Sequence, residues 1–134
     1  MKYYLKALQN YTEFSGRSTR SEYWFFVLFN FIFAITAMII DNILGTTFKM
    51  DTINGAMIIP YGYIYLLYAL AVFLPSLALT VRRLHDVGKS GWFILIGLIP
   101  IVGAIWLLVL MVTDSDPRDN EYGSNPYSMP LETY

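Results

Sequence analysis

The chain has 134 residues, 56% of them hydrophobic, 17% aromatic and only 14% charged, where an ordinary soluble domain carries about 25% charge; this is the composition of a membrane protein. Nine basic and ten acidic residues leave a formal charge of -1, so bulk charge offers nothing to nucleic acid and the position of each charge matters more than the sum. The absence of cysteine excludes disulfide frameworks, thiolate metal sites and thiol nucleophiles.

Tyr4, Ala7, Leu8, Tyr11 and Phe14 recur at helical spacing, while Lys2, Lys6, Gln9, Asn10 and Glu13 fall on the other side. Residues 1–18 are therefore expected to form an amphipathic interfacial helix and a loop. Two settings for the apolar face stay open: the membrane interface, with the lysines at anionic headgroups, or the surface of a transmembrane bundle.

Three charge-free runs follow: Tyr23 to Ile40 (18 positions), Ala56 to Val81 (26) and Trp92 to Val112 (21). About 20 helical residues span the hydrocarbon core, and backbone in lipid must satisfy its own hydrogen bonds, so each run is expected to be a helix. The fold expected is an all-α integral membrane protein: the amphipathic N-terminal helix, then three transmembrane helices at 19–44, 56–87 and 90–113, and an acidic tail at 114–134. The first run follows residues that include Glu13 and Glu22, and no small-residue cleavage pattern follows it, so it is expected to stay as an anchor.

Thr19-Arg20-Ser21-Glu22 fits a capping box at the start of the first helix, with Tyr23 and Trp24 at the headgroup boundary. Asn30 and Thr36, the polar side chains inside that run, are expected to bond to a neighbouring helix or to backbone. The second run carries Tyr61, Tyr63, Tyr65 and Tyr68, with Pro60 near its start and Pro75 inside, where a kink is expected. In the third, Ile99-Pro100-Ile101-Val102-Gly103 offers an alternative to a straight crossing: two short helices forming a re-entrant hairpin that returns the tail to the side it came from.

Outside the runs, Lys2, Lys6, Arg17 and Arg20 precede the first helix, Lys49 lies in the first loop, Arg82, Arg83 and Lys89 in the second and Arg118 in the tail. With three crossings, seven basic residues fall on one side and two on the other. The positive-inside rule assigns the seven, and the N-terminus, to the cytoplasm.

The second loop, Thr80-Val81-Arg82-Arg83-Leu84-His85-Asp86-Val87-Gly88-Lys89-Ser90-Gly91-Trp92-Phe93, holds the only histidine. The arginines suit a helix C-terminus, where they snorkel and meet exposed carbonyls; Gly88 suits a left-handed stop and Ser90 a new cap. Neither anchoring nor turning needs His85 and Asp86. On a helix Arg82 faces His85 and Arg83 faces Asp86, whereas adjacent His and Asp point apart and do not form an acid–base pair by themselves. A lone histidine is a poor metal site, no nucleophile elbow, phosphate loop, H-E-x-x-H or Rossmann glycine pattern occurs, and Asp114-Ser115-Asp116-Pro117-Arg118-Asp119 lacks the ligand and the glycine of a calcium loop. No metal, cofactor or catalytic residue is expected.

Three blocks carry a resemblance: Phe14-Ser15-Gly16-Arg17-Ser18-Thr19-Arg20-Ser21-Glu22-Tyr23-Trp24, then Arg82 to Trp92 in the pattern RRLHD-x-G-x-SGW, then Asn120-Glu121-Tyr122-Gly123-Ser124-Asn125-Pro126. In order and spacing the chain resembles the domain-of-unknown-function 805 family, small bacterial inner-membrane proteins. The resemblance covers nearly the whole chain and implies a multi-pass inner-membrane location and no particular activity. The chain departs from it at Ser124-Asn125, where the family more often has proline and aspartate, and at Asp116-Pro117-Arg118-Asp119, which replaces glycines.

Three functions remain in view. The first is a non-enzymatic membrane protein whose cytoplasmic face binds anionic lipid headgroups or a protein partner through Arg17, Arg20, Glu22, Arg82, Arg83, His85 and Asp86. The second is a small transporter or channel subunit, oligomeric, with Asn30, the tyrosines and the Gly97, Pro100, Gly103 break as lining; absence of charge within the runs argues against ion coupling. The third is an interfacial enzyme using His85 as acid or base. Membrane lipids, a homo-oligomer or a membrane-protein partner are the partners expected, and nucleic acid is not. The first two blocks are expected to meet in space, Glu22 and Asp86 offsetting part of the arginine charge.

Overall fold

A computed structural model describes residues 1–126. Its elements are α1 (Lys2–Gln9), α2 (Arg20–Leu44), strands β1 (Thr47–Thr52) and β2 (Gly55–Gly62), α3 (Tyr63–Asp86), a 3-10 segment (Gly91–Leu98) and α4 (Val102–Val112). Positions 127–134 of the expected tail lie outside the described residues.

Two helices have the length and apolarity to cross a membrane. At 1.5 Å per residue, the 25 residues of α2 and the 24 of α3 extend about 37 and 36 Å, more than the roughly 30 Å of hydrocarbon. Only 11% and 22% of their most apolar stretches is buried within the chain. Phe31, Ile43, Leu67, Leu70 and Phe73 point outward instead, an apolar belt that a soluble monomer would not leave in water.

The two helices run antiparallel. The start of α2 meets the end of α3, where the Ser18 amide donates to the Arg82 carbonyl at 3.0 Å, and the far end of α2 meets the start of α3 through Asp41. Midway, the Tyr68 hydroxyl donates to Asn30 Oδ1 at 2.6 Å, and Thr36 Oγ1 donates to its own helix at Ile32, so both polar side chains of the first run are satisfied as expected. α3 runs on through Pro75. α1 packs on this pair: Tyr4 and Ala7 are buried with Phe26 and Leu79, and the Tyr4 ring stacks on Phe26 at 5.2 Å. Of its two open settings, the helix takes the bundle surface.

Two expectations require correction. The chain is not all-α, because positions 56–62, assigned to the second helix, belong to β2, the second strand of a hairpin. Thr52 pairs with Gly55 and Thr47 with Gly62. An apolar run with β-branched residues has no periodicity that separates strand from buried helix, and Pro60 and Gly62 disfavour helix interior. The helix starts instead at Tyr63, where Asp41 reaches across from α2. Its carboxylate accepts from the Ile64 and Tyr65 amides at 3.1 and 2.8 Å, so an acid on one helix caps the positive end of the next. A side chain at Gly62 would place Cβ 2.5 Å from Asp41 Cγ, so the cap needs glycine there.

The second correction concerns the third run, which is not one helix. The 3-10 segment is about 16 Å long at 2.0 Å per residue and α4 about 17 Å at 1.5 Å per residue, each half of what a crossing needs. Between them Pro100 has no amide to donate and Ile101 sits at φ 64°, ψ -65°, the centre of a γ-turn that the Val102 amide closes on the Pro100 carbonyl at 2.7 Å and that reverses the chain. The halves fold on each other so closely that a side chain at Gly103 would strike the Ile96 carbonyl and one at Gly97 would come within 2.8 Å of Leu107.

Candidate functional site

The reversal brings the end of α4 back to the junction of α2 and α3, and all three sequence blocks meet there. Local signals build the scaffold. Thr19 Oγ1 accepts from the Glu22 amide at 3.2 Å and starts α2, as the capping box predicts. The Glu22 carboxylate, however, takes Lys6 Nζ at 2.7 Å and Ser18 Oγ at 3.0 Å, which ties α1 to α2. α3 ends as expected, with Gly88 at φ 78° and the Lys89 amide returning to the Leu84 carbonyl at 2.9 Å. Ser90 Oγ then accepts from the Trp92 amide at 3.3 Å and opens the 3-10 segment.

Asp86, fully buried, is the centre of the junction. Its Oδ1 takes Arg17 Nε at 3.1 Å, its Oδ2 takes Arg83 Nη1 at 2.5 Å, and Ser115 Oγ bonds to Oδ2 as well. Arg17 is 2% exposed in its side chain and Arg83 not at all. Neither is an open anion receptor. Arg17 also donates to the carbonyls of Asp86, Asp116, Arg118 and Gly123, and Arg83 to those of Ser18, Met111 and Thr113. Both are spent on fastening residues 111–123 to the helix ends. The expectation that these two arginines present an open charged face is therefore corrected: the carbonyl oxygens of a returning segment already occupy them.

The other expected residues divide. Arg20 lies toward the rim, half exposed, donating to the Val112 carbonyl at 3.1 Å and pairing with Asp114 at 2.9 Å. His85, 9% exposed, bonds through Nδ1 to the Gly16 carbonyl at 3.0 Å and stacks on Tyr122 with centroids 4.0 Å apart and planes 1° from parallel. Asp86 and His85 thus serve separate partners, as their adjacency on a helix implied. Arg82 differs from its neighbours. It is 5% exposed, and its Nε and Nη2 have no hydrogen-bond partner among the described residues. The fields of Glu22 and Glu13 reach it, yet Glu22 is bonded to Lys6 and Ser18, and Glu13 to Ser15. The Ser15 hydroxyl and amide hold the Glu13 carboxyl below its usual value.

The tail 114–126 packs against the junction rather than lying free. The Asp116 amide donates to the Asp86 carbonyl at 2.7 Å and Asn120 Nδ2 to the His85 carbonyl at 3.1 Å. The Arg118 amide and, after it, Asn120 hold the Asp116 carboxyl below its usual value. Among the described residues no group of three potential metal ligands converges. Asp41, Tyr122 and Ser115 are the site and scaffold residues that sequence reasoning missed. Asp41 follows directly after a charge-free run and was legible as an acid at a helix end; the partners of Tyr122 and Ser115 are visible only in three dimensions.

A groove of about 440 Å³ lies beside the junction, between the last turns of α3 and the 3-10 segment, walled by Leu77, Val81, Ile94, Trp92 and Phe14. His85 lines one part of it with Ser90 and Gly91.

Known proteins align with these features along nearly the full chain. Inner membrane protein YhaI of Escherichia coli (strain K12) is 40% identical over 126 residues, covering 94% of this chain and 96% of that protein. Inner membrane protein YhaH of the same strain is 37% identical over 126 residues, 94% of this chain and 97% of that one. No solved structure matches the chain. The family model described as Protein of unknown function (DUF805) matches residues 11–124, which include all three blocks nearly to their end, and the chain belongs to that family.

Proposed function

We propose that this chain is a non-catalytic inner-membrane protein whose helix junction faces the cytoplasm and holds the phosphate of an anionic lipid on Arg82. The observation that carries the reading is the orphaned edge of that guanidinium. Nε–H and the adjacent Nη2–H point the same way and form the fork that takes two oxygens of one phosphate. A buried cation with unmet donors is costly, and an anion relieves both the missing bonds and the uncompensated charge. Eight of the nine basic residues, Arg118 among them, lie on the junction side and only Lys49 in the hairpin at the other end of the helices, which favours the cytoplasmic orientation.

The separation of His85 from Asp86 supports a non-catalytic role, since among the described residues a backbone carbonyl, not an acid, orients the imidazole and the carboxylate is engaged by two arginines. The test is native mass spectrometry on protein released from its own membrane. Wild type should retain phosphatidylglycerol or cardiolipin, Arg82→Gln about ten-fold less, and Arg82→Lys an intermediate amount, because a point charge replaces the fork. Equal retention by wild type and Arg82→Gln would sink the proposal.

A further inference from the structure

A second site lies in the groove, and we propose that it holds one acyl chain of a membrane phospholipid whose headgroup donates a hydrogen bond to His85 Nε2. The wall residues Leu77, Val81 and Ile94 are aliphatic, and Trp92, 79% exposed, stands at the side as indoles do at a membrane boundary. The volume, about 440 Å³, is nearly three times the roughly 150 Å³ that accommodates the six carbons of benzene. On that scale it takes a chain of about eighteen carbons.

The polar end is set by the imidazole. The Gly16 carbonyl only accepts, so Nδ1 carries the hydrogen and Nε2 of the neutral ring is an acceptor. Stacking on Tyr122 and the bond to Gly16 hold the ring in that orientation. Gly91 keeps the approach clear: a Cβ there would stand 3.6 Å from His85 Nε2 and 2.7 Å from Val81 Cγ1. An acceptor facing an apolar groove selects an amphiphile with a donor next to its chains. The hydroxyls of phosphatidylglycerol and the ammonium of phosphatidylethanolamine share that property, and phosphatidylcholine lacks it. A soluble ligand is disfavoured because both walls belong to segments with apolar, outward-facing neighbours such as Phe73 and Leu95, where the surrounding molecules are lipids.

The purified full chain, reconstituted into vesicles of each of the three lipids and read by native mass spectrometry after gentle extraction, tests this. Wild type should retain one phosphatidylglycerol or phosphatidylethanolamine at this site and about three- to ten-fold less phosphatidylcholine, the range given by one lost hydrogen bond. Leu77→Trp fills the groove from α3 without touching the turn and should remove retention of phosphatidylethanolamine and phosphatidylcholine, leaving only the phosphatidylglycerol held on Arg82; Gly91→Val fills the space before Nε2 and should do the same. His85→Phe should keep the chain and lose the headgroup preference. Arg82→Gln should leave retention of phosphatidylethanolamine unchanged, which separates this site from the anion site. Retention of phosphatidylethanolamine by a folded Leu77→Trp at the wild-type level, or equal retention of all three lipids by wild type, would overturn the proposal.

Discussion

Asp86→Asn removes the charge that joins the three blocks, and the structure sets the size of the effect. Asp86 is fully buried and accepts from Arg17 Nε, Arg83 Nη1 and Ser115 Oγ. Asparagine keeps one acceptor oxygen but turns an NH₂ toward donors, and it leaves two buried guanidiniums without a counter-charge. Breaking one partner out of a buried ion pair costs about 3–5 kcal/mol, and one carboxylate serving two arginines belongs in the upper half of that range. Against a total of about 5–15 kcal/mol for a typical domain, a loss of that size removes a large part of the stability. Unfolding in mixed micelles by sodium dodecyl sulfate, followed by tryptophan emission and circular dichroism, reads it directly. Lys49→Gln in the exposed hairpin is the control and should stay within about 0.5 kcal/mol of wild type. Adding Arg17→Gln to Asp86→Asn should recover part of the loss, because one of the two stranded charges goes with it. An Asp86→Asn protein as stable as the Lys49→Gln control would refute the account of Asp86 as the pin of the junction.

Two further outcomes are expected. Asp116 has a folded-state pKa below its ordinary 3.8, so its contribution is fully present above 3.8 and is lost as pH falls through the depressed folded value. Thermal midpoints measured at about pH 5 and about pH 3 should therefore fall less steeply in Asp116→Asn than in wild type, and parallel falls would contradict the sign. For topology, a reporter active only in the cytoplasm should work when fused after Lys89 and fail after Lys49. Fused after Pro126 it should work again, because α4 returns its end to the junction; activity after Lys49 would reverse the orientation, and inactivity after Pro126 would mean the third run crosses.

The parts of the fold written in short-range chemistry were legible. Thr19, Gly88 and Ser90 each act on an amide or carbonyl within a few residues, so cap, stop and restart could be assigned from spacing alone. The spacing of Tyr4 and Ala7 marked the buried face of α1, though not what would cover it. Where partners are distant, sequence offered composition without geometry. The run beginning at Ala56 is apolar in either conformation, and only its pairing with residues 47–52 makes it a strand. The arginines announced an anion, but Arg17 and Arg83 meet one internal carboxylate and, beside it, the neutral carbonyl oxygens of a segment some thirty to a hundred residues away in sequence. A count of three crossings separates the tail from the junction, whereas the break at Pro100 and Ile101 folds the third run back on itself, the alternative that Pro100 and Gly103 had offered.

The broken third run explains why that junction needs so many donors. A helix ends with carbonyls that have no amide partner, and in hydrocarbon or at its edge no bulk water replaces them. α4 is too short to carry its end to the far interface, so its last carbonyls must be satisfied where the hairpin returns. Val109 O is taken by the Thr113 amide and hydroxyl, Met111 O by Trp24 Nε1 and Arg83 Nε, Val112 O by Arg20 Nη1, and Thr113 O by Arg83 Nη2. Two guanidiniums at the negative end of a helix also meet its dipole with the favourable sign. The same arginines that a charge count treats as orientation signals are thus the groups that let a half-length helix end at the junction. The Arg82 side chain, one position from Arg83, takes no part in this closure, and its Nε and Nη2 have no hydrogen-bond partner among the described residues.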